Sequence, residues 1–256
     1  MGLFDFFKKK TVDTEEKPQN YNQNASTPYA NVRFLNWYEK GMHSAYPVWM
    51  EVECGIVNAP LKEKEMIEAG YLYHSGEFKG VTDCKLTDSG KAFVADNTEI
   101  LIANSYRKYD ITMDDYYNEK RLNPILSPRE ILWSILNKRA DIYERNKQFS
   151  FLRNVYLAMA MDCEKNKEYE ECLQYYIIVQ FFDVSGLENG GISREHIFVA
   201  PAIKKAIHKY SEHYNPEMIK SVEALNLPMS LTSIKTFKTL ISKMLNGEEL
   251  PKKYNP

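Results

Sequence analysis

The chain has 256 residues, 44% of them hydrophobic and 27% charged, and a formal net charge of −2. That is enough apolar material for a substantial core in one large or two small domains, and the near-neutral balance excludes a global positive field of the kind that recruits nucleic acid. No apolar run approaches the roughly 18 residues that span a bilayer, and four cysteines with neither a CxxC pair nor disulfide-scaffold spacing point to reduced, mostly buried thiols in a cytoplasmic protein.

The chain opens MGLFDFFKKK. Its basic residues follow the apolar ones, the reverse of a secretory signal, and Phe6 stands where an N-myristoylation motif wants Ser or Thr. Wound as a helix, Leu3, Phe4 and Phe7 share one side with Lys8, Lys9 and Lys10 beside them, which is the pattern of a short arm making weak contact with a membrane surface or a partner. From Thr11 to Pro28 the sequence is polar and nearly free of aliphatic residues, so residues 1–28 read as an arm and flexible linker.

Residues 29–99 read as a compact α+β segment. A helix from Leu61 to about Ala69 is stopped by Gly70, Tyr71 to Tyr73 forms a strand, and Gly76 and Gly80 mark a turn. Cys84 to Leu86 returns as a second strand, and Thr87 or Asp88 caps a helix beginning at Ser89. With the phrases MIEAGYL and CKLTDSGKAFV, this order resembles the end of a winged-helix domain. In winged helices that bind DNA, the helix before the wing enters the major groove. Here that helix carries Glu63, Glu65 and Glu68 against Lys62 and Lys64, so a purely structural wing is the first reading. DNA contact through Lys62, Lys64, Lys79 and Lys85 is the alternative.

Residues 100–256 read as helical throughout. Thr112 to Asp115 resembles a capping box, and Ser127-Pro128-Arg129-Glu130 is a stronger one, followed by the apolar stripe Ile131, Leu132, Ile135 and Leu136. From Phe151 to Phe182, helical spacing is interrupted at Asn166-Lys167 and then resumes, with small residues Ala160 and Cys172 where two helices would touch. This resembles one tetratricopeptide-type hairpin. Such repeats need about three copies to bury a continuous core, so 151–182 is read as a repeat-like hairpin inside a larger helical domain. Further helices are expected in PAIKKAIHKYSEHY, after the cap Asn215-Pro216-Glu217, and from about Leu231 to Leu245, where Ile234, Phe237, Ile241 and Met244 share a side before Gly247. The expected fold is therefore mainly α, with a small winged-helix-like α+β part at the N-terminal end and a helical-hairpin domain at the C-terminal end.

The MGLF start, Tyr46-Pro47, ECGI (Glu53 to Ile56), IEAGYL, LTDSGKAF, LRNVYLAMA, YEECLQYY and VSGLENGG together resemble a family of uncharacterised proteins from Firmicutes and their phages, many of them labelled SAP-domain proteins. The resemblance implies a phage or prophage origin and an association with DNA. The chain departs from it at one place: typical members carry a helical SAP segment with a GKK..LI.R motif between the GYL and LT..G phrases, whereas only His74 to Lys85 lie between them here. No SAP residue carries over.

Catalytic and cofactor patterns are missing. Ser185 to Gly191 (SGLENGG) is glycine-rich but has neither phosphate-loop spacing, and reads as a helix stop and turn. His208 and His213 stand about 140° apart around a helix, and Cys54, His74 and Cys84 have no evident fourth ligand, so no metal site is assigned. Glu164, Glu168, Glu170 and Glu171, interspersed with lysines, read as a solvated tip, and Ser193 to His196 as a helix start. The eighteen tyrosines include the pairs Tyr116-Tyr117 and Tyr175-Tyr176, in each of which one ring is expected in the core and the other at an interface. The expected function is non-enzymatic protein binding around Tyr156, Tyr175 and Tyr176, with no cofactor. DNA association comes second and an enzyme acting on a nucleotide or phosphate substrate third.

Overall fold

The structure is a computed structural model, and it describes residues 28–43, 45–188, 191–192, 200–225, 227 and 232–254. The arm residues Leu3, Phe4, Phe7 and Lys8, and the stretch Ser193 to His196, lie outside the described residues. Helix, short 3₁₀ turns included, accounts for 71% of the structure, with twelve α-helices among the described residues, which makes the fold mainly α. Two small antiparallel two-stranded sheets complete it among the described residues. None of the described helices is long and apolar enough to cross a membrane. All four cysteines are free and buried.

The chain divides into two compact units, with the boundary between Tyr117 and Asn118. The first contains α1 (Pro28–Glu39), α2 (Pro47–Cys54), α3 (Ala59–Glu68), β1 (Leu72–Phe78), β2 (Val81–Leu86), α4 (Asp88–Asp96), α5 (Thr98–Ser105) and a 3₁₀ turn (Tyr106–Tyr109). Helix α1 is its spine and packs against α2, α4, α5 and β2. Phe34, Leu35, Trp37 and Tyr38 of α1 meet Met50, Cys54, Met66, Leu72, Cys84, Leu86 and Val94 in one core. The boundary expected near residue 99 therefore falls too early. Helix α5 packs on α1, and the fully buried Tyr116 donates its hydroxyl to Glu99 Oε1 at 2.8 Å, so the chain to Tyr117 belongs with the first unit.

The strands begin where apolar alternation meets turn residues. Asn58 caps α3, its Oδ1 accepting from Leu61 N at 2.9 Å, and Gly70, at φ +77°, turns the chain out of the helix. Lys79 and Gly80 both have positive φ, as a two-residue hairpin turn requires, and they set Phe78 opposite Val81; a bulge between His74 and Gly76 then shifts the register by one and brings Leu72 opposite Leu86. Thr87 locks the base of the hairpin: its hydroxyl donates to Gly70 O at 2.7 Å and accepts from Gly90 N at 3.0 Å, capping α4. Both strands run longer than the three residues expected for each.

The second unit begins within α6 (Met113–Leu122) and continues through α7 (Pro128–Arg145), α8 (Phe149–Asn166), α9 (Tyr169–Ser185), β3 (Leu187–Glu188), β4 (Gly191–Ile192), α10 (Pro201–Lys209), α11 (Glu217–Ala224) and α12 (Ile234–Leu245). Ser127 and Glu130 form the reciprocal capping box at the head of α7, and Ile131, Leu132, Ile135 and Leu136 are all buried. Helix α8 stops at Lys167, which takes the left-handed conformation at φ 63°, and α9 starts two residues later. Helix α9 is the centre of this unit. It packs against α8, α10, α11 and α12, and every residue from Tyr176 to Ser185 is buried. A helix apolar on all sides needs neighbours on all sides, and α9 has them. Gly186, in the left-handed conformation, caps it.

Candidate functional site

The second unit carries a ladder of half-buried aromatic rings over α7, α8 and α9. Trp133 of α7 lies 5.9 Å from Tyr175 of α9, Tyr175 lies 6.1 Å from Tyr156 of α8, and Tyr156 lies 6.1 Å from Phe182 (centroid distances). Tyr143 stacks on Phe151 at 5.3 Å, and Phe151 and Ile142 are 49% and 45% exposed. Trp133 is held by its indole: Nε1 donates to Asp162 Oδ2 at 2.9 Å, the same oxygen that Arg129 Nε reaches at 2.8 Å. Arg129 also forks onto both carboxylate oxygens of Glu168 at the head of α9. The rings therefore sit on a braced frame.

Acids surround these rings. Burial, with Glu144, Tyr175 and Asp141 nearby, pushes the Tyr156 phenol up to about 12. Burial, with Cys163, Glu171 and Glu168, raises Tyr175 as well. Both phenols are thus neutral, and Arg129, which holds Glu168, already stands 5.8 Å over the Trp133 ring.

The residues singled out from sequence separate clearly. Tyr156 and Tyr175 stand together on this surface, but Tyr176 does not. It is 1% exposed and its hydroxyl donates to Glu164 Oε2 at 3.0 Å, so Tyr176 is a core residue and its expected surface role is corrected. In the other pair, Tyr116 is fully buried and Tyr117 is 39% exposed. Nor are the acids of the α8–α9 turn merely solvated. Glu164 accepts from Tyr176, from Tyr210 and from Lys209 (3.1 Å), and Glu168 holds Arg129. Trp133, Tyr143 and Phe151 were missed because their partners are set by how α7 packs on α8, which helical spacing within one segment does not show.

Of the lysines expected to meet DNA, Lys62 is buried and Lys64, Lys79 and Lys85 are exposed. Lys62 is 8% exposed and pairs with Glu65 at 2.9 Å, and Lys64 stands 3.8 Å from Glu68. Lys79 donates to the Tyr46 hydroxyl at 2.6 Å and lies over the Tyr46 and Phe78 rings. Lys85 is exposed and lines a cleft of about 330 Å³ with Lys91, Glu39, Asp83 and His43. In that cleft His43 lies flat against Phe78 at 3.8 Å and contacts Asp83 Oδ2 through Nδ1 at 2.7 Å. Two lysines facing two carboxylates do not select the charge of a ligand. Cys84 Sγ is 3.6 Å from His74 Nδ1, while Cys54 donates to Arg33 O, and no three His, Cys, Asp or Glu among the described residues converge to hold a metal.

No family model, curated protein or solved structure matches the chain.

Proposed function

We propose that this chain is a non-enzymatic interaction protein whose C-terminal helical unit binds a protein segment across Trp133, Tyr143, Phe151, Tyr156 and Tyr175. The observation that carries this reading is the pairing of partly buried stacked rings, with Phe151 49% exposed at their edge, with the acids Asp141, Glu144 and Glu171. Aromatic residues dominate binding hot spots, and ring faces beside carboxylates suit a partner that presents a lysine or arginine next to apolar side chains. In the same reading, α8–α9 is a tetratricopeptide-like hairpin that frames the surface, and α3–β1–β2–α4 is a winged-helix-like module in a structural role, since α3 offers a phosphate backbone three acids against two bases.

Affinity capture with the full chain tests this. Phe151→Ala and Tyr175→Ala are each expected to weaken capture of the partner at least about tenfold, since truncating an aromatic anchor typically costs about 2 kcal/mol or more. Lys85→Glu, in the first unit, is expected to leave capture unchanged. Wild-type recovery by both aromatic variants refutes the surface. Loss of binding on Lys85→Glu, together with a salt-sensitive shift of duplex DNA by the parent chain, supports the nucleic-acid reading instead.

A further inference from the structure

The first unit holds a second cleft, of about 340 Å³, within its own helices. Arg33, Asn36, Trp37 and Lys40 line it, and helical spacing puts all four on one side of α1. The last turns of α2 and α5, both packed on α1, add Glu53 and Asn104. Its volume is at the small end of the range for small-molecule sites, and it has their usual make-up of an apolar surface, here Trp37, with a few polar groups. Elsewhere in this unit charges find partners: Lys62 pairs with Glu65, Lys91 with Asp88, and Glu63 accepts from the Tyr38 hydroxyl. Arg33, Lys40 and Glu53 share the cleft, yet none of the three forms an ion pair among the described residues, and the side-chain amides of Asn36 and Asn104 have no hydrogen-bond partner there. The three charges stand close enough to act together on the buried Cys54 thiol: burial pushes it up to about 11, with Arg33 and Lys40 opposing and Glu53 adding. Arg33 is held by the Tyr29 ring, 5.5 Å from its guanidinium carbon, which orients the charge without neutralising it.

Opposite charges that share a cleft without meeting are complemented by one ligand that carries both signs. A simple anion sets negative charge against Glu53, and a simple cation sets positive charge against Arg33 and Lys40; each like-charge contact costs binding. We propose that this cleft binds a small free acid bearing an ammonium group, an acidic α-amino acid in its simplest form, with its carboxylates toward Arg33 and Lys40 and its ammonium toward Glu53. Seven residues of helix separate the two cations by about 10 Å along the axis, which suits a ligand with an acidic group at each end better than a single compact anion. The amides of Asn36 and Asn104 donate to the carboxylate lone pairs that the cations leave open, and Trp37 covers the carbon chain. Two cations against one carboxylate also set an order among amino acids. One with two carboxylates and one ammonium matches the lining group for group, a neutral one leaves a cation unanswered, and a basic one reverses the count.

Isothermal titration of the full chain at pH 7 tests this, with L-glutamate, L-aspartate, L-leucine, L-lysine and glutarate, which is glutamate without its ammonium group. At least one of the two acidic amino acids is expected to bind saturably, leucine and glutarate at least about tenfold more weakly, as befits the loss of one charged hydrogen-bonding group, and lysine not at all. Glu53→Gln is expected to weaken the acidic amino acid at least about tenfold while tightening glutarate, and Lys40→Gln to shrink the preference for the acidic amino acid over leucine. Both positions are exposed, so neither replacement disturbs the fold, and unchanged far-ultraviolet dichroism checks this. Tyr175→Ala, in the second unit, is expected to bind the acidic amino acid as the parent does, which separates this site from the aromatic surface. Absence of saturable heat from both acidic amino acids at millimolar concentration overturns the proposal. So does glutarate binding as tightly as glutamate, which marks a plain anion site, and so does equal affinity in the parent and Glu53→Gln chains. Loss of binding on Tyr175→Ala overturns it too, by placing the ligand elsewhere.

Discussion

Gly90 shows how a single atom decides a local structure. A Cβ built at this position stands 2.2 Å from the Tyr71 carbonyl oxygen and 3.0 Å from Leu86 Cδ2, so backbone and not a flexible side chain blocks it. The first turn of α4 lies this close to the strand entry because Thr87 ties Gly70 O and Gly90 N together. Gly90→Ala is expected to destabilise the first unit by about 1–3 kcal/mol, the usual cost of forcing extra volume into a packed site. For a unit of this size that amounts to a fall in Tm of several degrees, measurable by calorimetry. The Thr87 cap was legible in the sequence, because a capping residue acts on atoms two or three positions away. Why residue 90 must be glycine was not, since the obstacle is a carbonyl nineteen positions earlier that only the hairpin brings near. The tyrosine pair at 175 and 176 has the same limit. Adjacent helical residues point about 100° apart, so one ring had to be more buried than the other, but which one depends on where α10 lies.

Elements are held to one another by carboxylates that helical periodicity does not reveal. Glu164, near the end of α8, accepts from Tyr176 of α9 and from Lys209 and Tyr210 at the end of α10, so one side chain ties three helices. Burial acts to raise its pKa, but the hydrogen bonds from Tyr210, Lys209 and Tyr176 outweigh that and hold it below the ordinary glutamate value. A carboxyl whose folded pKa is depressed binds fewer protons in the native state than in the unfolded one. Its contribution is therefore complete above the unfolded value, near 4.3, and is lost as pH falls through the lower folded value. Tyr210→Phe removes one of the donors while keeping the ring, which packs on Tyr169 at 5.1 Å. Chemical denaturation at pH 7 is expected to show a loss of about 1–2 kcal/mol, typical of a hydrogen bond to a charged group that keeps some solvent contact. Repeated at pH 3, the gap between parent and variant is expected to narrow; a gap independent of pH refutes the charge-assisted bond. Helices α8 and α9 and the break between them were legible because the apolar period is strong and stops at Asn166-Lys167. The role of Glu164 was not, because Lys209 and Tyr210 lie more than forty residues away and surrounding lysines make the stretch look like solvated charge.

At the scale of the whole chain, composition and period identified a mainly helical protein with a small hairpin, but placed the division between its units too early. The early boundary followed the change from mixed to helical patterning at about residue 100, whereas burial follows contacts. Ala103, Tyr106, Tyr109, Ile111 and Tyr116 are each no more than 5% exposed, and Tyr106 packs its ring against both Tyr109 and Tyr116. A fragment of residues 28–99 strips all five from the first unit and leaves the side of α1 that meets α5 open to water. Each large buried side chain contributes about 1.5–3 kcal/mol by removal from water, so losing Tyr106, Tyr109, Ile111 and Tyr116 costs a sum comparable to the whole 5–15 kcal/mol by which a typical domain is stable. A fragment of residues 28–122 keeps α6 whole and with it Tyr116 and its bond to Glu99. The longer fragment is expected to unfold in one cooperative transition and to protect its amides from exchange, and the shorter to show neither. Cooperative unfolding of 28–99 returns the boundary to where the sequence pattern changes, and makes α5 and the tyrosine cluster an appendage rather than part of the core.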